Sequence, residues 1–262
     1  MSKKMTVQDA IGLIRDGDTL AVGGFVGCMH PEDLTQQLER TFKETRHPQN
    51  LDLIYAAGQG DGHERGLNHL GHEGMLRRVV GGHWGLVPKI QKLALENKIE
   101  AYNFPQGVIS HLFRDIAAKK PGTLTHIGLK TFVDPRLQGG RINDITKDDL
   151  VTNLTIGGKE YLLYHAFPIH VALVRASYCD PDGNATFERE CVSLEVVAMC
   201  QAAKNSGGKV ILQVEKIVER GSLNPKLIRL PGIYVDAIIE APPENHMQTF
   251  DTQYDPSYSG DI

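Results

Sequence analysis

Cysteine is scarce and unpatterned in this 262-residue sequence. Cys28, Cys179, Cys191 and Cys200 form no CxxC pair and share no regular spacing. That argues against a disulfide framework or a zinc cluster and for reduced thiols in a cytosolic protein. No apolar run approaches the ~20 residues needed to cross a bilayer as a helix. The start, MSKKMTVQDAIGLIRDGD, has a basic tip but lacks the roughly 7–15-residue apolar region of a secretory signal. Neither sign of charge dominates: 28 Lys and Arg stand against 32 Asp and Glu, for a formal charge of −4. The two signs are interspersed, so no basic footprint for nucleic acid stands out. GxSxG, the P-loop, the kinase motifs and HExxH are all missing. So is the dinucleotide fingerprint GxGxxG, because the glycines after the first strand fall at 23, 24 and 27. There is no internal repeat and no low-complexity segment.

What is present is enough apolar sequence, 41%, for one large α/β domain with a substantial core. TVQDAIGLIRDGD carries a capping Thr and helical spacing. TLAVGGF and LDLIYAAG read as buried strands, and HPEDLTQQLERTFKET between them as a helix with Pro in its first turn. GMLRRVVGGHWG is a short helix or strand, VPKIQKLALENKI a helix, EAYNFPQG a strand running into a loop, and VISHLFRDIAAKKPG a helix stopped by Pro121-Gly122. This alternation suits βαβ units and a mainly parallel sheet flanked by helices. The pattern then changes to a loop-rich β insertion built around residues 128–170. Within it LTIGGKEYLLYHAF reads as a hairpin turning at Gly157-Gly158. VALVRASYCDPDGNATF gives strand, turn and strand. SLEVVAMCQAAKNSGG is a helix, and KVILQVEKIV and GIYVDAIIEA are buried strands. The expectation is two α/β lobes of one domain over residues 1–241. Residues 242–262, polar and without apolar periodicity, read as a linker or arm.

Four segments could carry chemistry. Gly23, Gly24, Phe25, Val26 and Gly27 follow the first strand, where a backbone can approach a ligand closely. Pattern alone reads first as an ordinary tight βα turn. AAGQGDGHERG, residues 56–66, is a surface loop or a substrate-contacting one. HLGHEGMLRRVVGGHWG holds His69, His72, Glu73 and His83, with no second His at zinc spacing, so no metal site is expected. The histidines read as packing or rim residues, and Trp84 as core. Glu73 is the one carboxylate in that Gly-rich setting and so a weak nucleophile candidate. In AYNFPQG, Gln106 stands between Pro105, which restricts the backbone, and Gly107, which lets it turn away. A Gln held in that way is a donor aimed at something.

These pieces together resemble the family I coenzyme A transferases. The likeness runs from about Thr6 to Gly260 and rests on GGF, HEGMLRRVVGGHWG, AYNFPQG, HLFRDIAAKKPG, TFVDPRLQGG, INDITKDD, EYLLYHAFPIHVALVRA, DGNATFE, AAKNSGG and PGIYVD. It is strongest to the N-terminal half of single-chain propionate and acetate CoA-transferases, and weaker to the 3-oxoacid CoA-transferases. The family's GxGGF signature begins here with Ala21, a small residue that keeps the loop intact.

The resemblance implies a CoA-transferase-type fold and gives Gln106 a role. In the family this Gln forms an oxyanion hole with a backbone amide of the other half. A preorganised neutral donor of that kind stabilises the negative oxygen of tetrahedral acyl-transfer species. The loop from Gly23 to Gly27 would shape the substrate pocket. The family's Glu nucleophile lies in the C-terminal half, and nothing in this chain matches that segment. The resemblance therefore implies an α-type subunit or N-terminal half, active only with a β-type half in a hetero- or homo-oligomer. Acyl-CoA and short-chain carboxylates would be its substrates, and coenzyme A would be both substrate and covalent intermediate, with no permanently bound cofactor. Acetate, propionate, butyrate, lactate and acrylate all fit. Two other readings stand beside it: a thioester hydrolase on the same scaffold, and a non-catalytic CoA- or acyl-binding subunit.

Overall fold

The computed structural model describes residues 3–262. Its main sheet contains β1 (Thr19–Val22), β2 (Leu51–Tyr55), β3 (Leu76–Gly81), β4 (Glu100–Asn103), β8 (Val171–Cys179), β10 (Lys209–Ile217) and β11 (Ala237–Glu240). They are all parallel, in the order β11-β10-β8-β1-β2-β3-β4, with the short β9 (Ala185–Thr186) antiparallel to β8. The helices are α1 (Val7–Ile11), α2 (Glu32–Thr45), α3 (Pro88–Leu95), α4 (Gln106–Ala117), α5 (Val196–Asn205) and α6 (Pro256–Ser259).

Alternation along the strands assigns the two faces. Leu20, Val22, Leu53 and Tyr55 share a buried cluster with Ile11, Leu34, Leu38 and Ile90, so α1, α2 and α3 cover one face. Ala21, Ile54 and Val80 point the other way and share a cluster with Ile109, Leu112, Val196 and Met199, so α4 and α5 cover the second face. Strands buried on both faces are near-continuous in apolar residues, as all-parallel sheets require.

The β insertion is a three-stranded antiparallel sheet in the order β5-β7-β6, from β5 (Gly122–Thr125), β6 (Val151–Ile156) and β7 (Lys159–His165). Gly157 and Gly158 make the turn between the last two, both at positive φ. Tyr164 anchors the insertion on the second face, its ring 5.2 Å from that of Phe104, edge to face.

Four expectations need correction. The two lobes are one sheet: β8, β10 and β11 add to the free side of β1. The first helix ends at Ile11, where Gly12 and successive turns take over; its Thr6 cap does accept from the Asp9 amide at 3.1 Å. Only Ala237–Glu240 of GIYVDAIIEA is a strand, because Gly232–Tyr234 forms a 3-10 turn, whereas GMLRRVVGGHWG takes the strand of its two expected forms. Gln106 is the first residue of α4 rather than part of a loop, since Pro105, with its fixed φ, is a good residue to start a helix.

Candidate active site

The chain leaves β1 through β2 and β3 to β4 on one side, then returns to add β8 and β10 on the other. This reversal makes the carboxyl ends of β1 and β8 a switch point, where open α/β sheets place their ligands. The segments singled out in the sequence collect along this edge. Gly23 donates to Leu173 O at 3.1 Å, and Phe25 and Cys28 exchange both backbone hydrogen bonds at 2.9 and 2.8 Å. Val26 donates to Gly58 O at 2.7 Å and accepts from the Gly60 amide at 3.1 Å, so loop 23–28 is zipped to the loop after β2. Val26 has φ +55°, a conformation that costs a β-branched residue about 1–2 kcal/mol. The Gly58 and Gly60 bonds hold it there, and the Phe25 and Val26 side chains stand exposed, 42% each.

Gln59, fully buried, is the post beneath this zip. Its amide nitrogen donates to Val22 O at 2.8 Å, and its oxygen lies 2.8 Å from His30 Nδ1. Burial pushes His30 down to about 4, so the ring is neutral near pH 7. It carries its proton on Nδ1, facing the Gln59 oxygen, and its Nε2 faces the Thr35 hydroxyl at 2.9 Å. The sequence marked residues 56–66 only as a polar loop. One amide among glycines does not reveal that it is buried.

Gln106 stands further along the same edge, at the amino end of α4. Gly82, just after β3, lies beneath it: a side chain there would collide with the Ala56 carbonyl oxygen and come within 3.1 Å of Gln106 Cα. Gln106 is therefore about two strand spacings, roughly 10 Å, from the 23–28 loop. Its own side chain is exposed and makes no hydrogen bond with the described residues. The helix amino end adds partial positive charge at the same point. His83 is also on this edge, beside Gly58, and exposed. Between the two elements is Glu195, which pattern reading missed. It accepts from the Ser110 hydroxyl at 3.2 Å, one helical turn beyond Gln106, and its neighbour Val196 lies against Gly23. Burial holds its carboxyl above the usual range.

Glu73 is elsewhere. It lies ahead of β3 at the opposite edge of the sheet, exposed and paired with Lys98 at 2.9 Å, so it takes no part in this site. His69 and His72 are also structural. His69 bridges Glu39 at 2.6 Å and Glu32 at 3.0 Å, and His72 reaches Glu39 at 2.7 Å. Glu32 also accepts from the Gly66 amide at 2.9 Å, so the cluster ties α2 to the loop that carries Gln59. Burial disfavours charge on His69, yet the bonds to both carboxylates outweigh it and raise it to about 9. Burial likewise disfavours charge on Glu32 and Glu39. The His69 bond, with other partners, lowers Glu32 to about 2 and Glu39 well below the carboxylate range.

The sign of the linkage follows from these shifts. The raised His69 stabilises the fold fully below about 6.5 and loses that contribution as pH rises towards 9. The lowered Glu32 contributes above about 4.5 and loses it as pH falls towards 2. The difference in melting temperature between the native chain and His69→Gln is therefore expected to shrink between pH 6.5 and 9. A gap that stays constant over that range would show that His69 is neutral. Among the described residues no group of three or more His, Cys, Asp or Glu could hold a metal, and no helix is long and apolar enough to cross a membrane.

The site is thus a parallel α/β sheet whose carboxyl edge carries Gly-rich loops and an exposed Gln, and comparison with known proteins gives the class. The profile of the Coenzyme A transferase family matches residues 4–241, and the chain belongs to that family. Acetate CoA-transferase YdiF of Escherichia coli K12 is 41% identical over 244 residues, covering 93% of this chain and 46% of its own length. Caffeate CoA-transferase of Acetobacterium woodii is also 41% identical, over 100% of this chain and 50% of its own length. The chain thus spans about half the length of these curated relatives. Acetate CoA-transferase subunit alpha of Escherichia coli K12, 29% identical, is covered over 96% of its length and 91% of this chain. The solved apoenzyme of YdiF from Escherichia coli O157:H7 superposes with a TM-score of 0.96 at 40% identity, over 100% of this chain and 51% of that one. The same protein has been solved as a thioester complex with CoA.

Proposed function

We propose that this chain is the α-type half of a CoA-transferase that exchanges CoA between short-chain acyl-CoA and free carboxylates. The observation that supports the reading is the family match over residues 4–241, together with relatives of which the chain covers about half. In this reading a Glu of the second half attacks the thioester carbonyl and displaces CoA thiolate, giving a mixed anhydride. The thiolate attacks the glutamyl carbonyl, releasing the first carboxylate and leaving a glutamyl-CoA thioester. The acceptor acid then takes the place of the first, and the steps reverse. Gln106 donates to the carbonyl oxygen as it becomes negative, and the loop from Gly23 to Gly27 walls the acyl pocket. Exposed Gln106, with no hydrogen-bond partner among the described residues, supports that role, as does its place on the edge that carries the loop. The four thiols are free, which suits a reducing compartment such as the cytosol.

The test is co-expression with a β-type half and an assay of CoA transfer from acetyl-CoA to a panel of short acids. The chain alone is expected to transfer nothing. The pair is expected to turn over, and borohydride after incubation with acyl-CoA is expected to reduce a glutamyl thioester in the partner only. Transfer by the scrupulously pure chain, or a modified Glu within it, would overturn this division of labour. Hydrolysis without transfer to any acid would favour a thioester hydrolase, and binding without turnover a non-catalytic subunit.

A further inference from the structure

Residues 242–262, read in the sequence as a linker or arm, fold back along the carboxyl edge of the sheet. Stretch 244–250 lies across the switch point itself, and buried side chains of the body hold its backbone. Arg175, 3% exposed, donates to Met247 O at 2.7 Å while its Nε pairs with the buried Glu190 at 2.9 Å. Gln213, fully buried, donates to Asn245 O at 2.9 Å. Arg65 donates to Phe250 O at 2.8 Å, to Glu244 O at 3.2 Å, and to Glu32 at 3.3 Å. These donors use the backbone of the stretch, so its path is specified even though its sequence has no apolar period.

At the end of this path Phe250 meets the loop after β1. A Cβ on Gly27 would come within 2.6 Å of Phe250 N and 2.9 Å of its ring, so the two segments are in direct contact and only glycine fits. The Phe250 ring also stands edge-on to His30 at 6.1 Å and lies under the Arg65 guanidinium at 5.2 Å. Loop 23–28 is thus held on two sides, by Gly58 and Gly60 and by Phe250. Val26, at φ +55°, is held by the Gly58 and Gly60 bonds, and Phe250 fixes the adjacent Gly27.

We infer that residues 244–250 are a strap that sets the position of loop 23–28, with Phe250 as its positioning residue. The strap then couples the seating of residues 244–250 to the shape of the substrate pocket. That pocket's role rests on the function proposed above; the strap's hold on the loop does not. Cys28, partly exposed at the end of the loop, reports the hold directly, while Cys179 and Cys200 are buried references.

The experiment compares Phe250→Ala, Phe250→Leu and Tyr254→Ala in the full chain. Tyr254 lies beyond the strap, under Arg189 at 3.7 Å, and its ring makes no contact with loop 23–28. Maleimide modification of Cys28, followed peptide by peptide, is expected to quicken roughly 5- to 30-fold in Phe250→Ala. It should return most of the way in Phe250→Leu, stay at the native rate in Tyr254→Ala, and leave Cys179 and Cys200 unchanged in all three. In the assembled enzyme, per trapped glutamyl-CoA site, Phe250→Ala is expected to raise KM for the acceptor acid more than it lowers kcat. A native Cys28 rate in Phe250→Ala would overturn the strap. So would equal acceleration in Tyr254→Ala or at the buried cysteines, which would mean general fraying. If the native assembly transfers no CoA, the proposed function falls and the labelling alone decides the strap.

Discussion

Replacing Gln106 by Ala is expected to slow CoA transfer by the assembled enzyme roughly 10²–10³-fold, with a much smaller change in KM for acyl-CoA. The expected loss, about 3–4 kcal/mol of transition-state stabilisation, is what removing one preorganised oxyanion donor costs in other acyl-transfer enzymes. The split follows from timing. The thioester carbonyl is a weak acceptor in the ground state and becomes an oxyanion only on attack, so the amide contributes mainly to turnover. Folding should be untouched, because the side chain is exposed and makes no hydrogen bond with the described residues; surface changes of this kind stay within about 0.5 kcal/mol. A native melting temperature with greatly reduced kcat is therefore the signature. Steady-state kinetics showing native kcat would remove Gln106 from the chemistry. Asn at this position should recover little, since it withdraws the amide by a methylene, and donor position matters on that scale.

Replacing His69 by Leu is expected to be the most damaging single change to the fold among the site's supporting residues. Glu32 and Glu39 are largely buried and converge on the imidazolium at 3.0 and 2.6 Å. Without it their charges face each other with no cation between. Breaking a buried ion pair typically costs ~3–5 kcal/mol. The low end applies here, because Glu39 keeps Lys43 at 2.7 Å and Glu32 keeps Arg65 and the Gly66 amide. At about 2–4 °C per kcal/mol for a chain of this size, the melting temperature should fall by about 6–12 °C. The double variant His69→Leu/Glu39→Gln should lose less than the sum of the single changes, since it removes one stranded charge. Strict additivity in calorimetry would mean that the histidine and the carboxylate are not coupled.

Much of this architecture is written locally. The continuous apolar runs of TLAV and LDLIY can only be strands buried on both faces. The helical period of EDLTQQLERTFKET and the paired glycines at 157–158 leave little choice of local structure. Proline before Gln106 and the Gly-rich strand ends mark candidate residues in the sequence, and the structure gathers these along one edge of the sheet. Family likeness supplied roles for those residues that periodicity could not.

Other features are non-local. That β8 docks beside β1, uniting two expected lobes into one sheet and creating the switch point, depends on pairing between strands about 150 residues apart. No local signal encodes that pairing. Gln59, Glu195 and His69 look like ordinary surface polar residues in sequence. Burial among specific partners is what makes one a post, one a protonation-shifted wall residue and one a permanent cation. Glu73 shows the converse: its Gly-rich setting suggested chemistry, and three residues of turn placed it on the wrong edge of the sheet. The tail is the clearest division. Composition correctly showed that 242–262 has no apolar face of its own. It could not show that Arg65, Arg175 and Gln213, distant in sequence, would bind its backbone. Composition reports what a segment can bury, and only the tertiary structure decides which donors stand ready to receive its carbonyls.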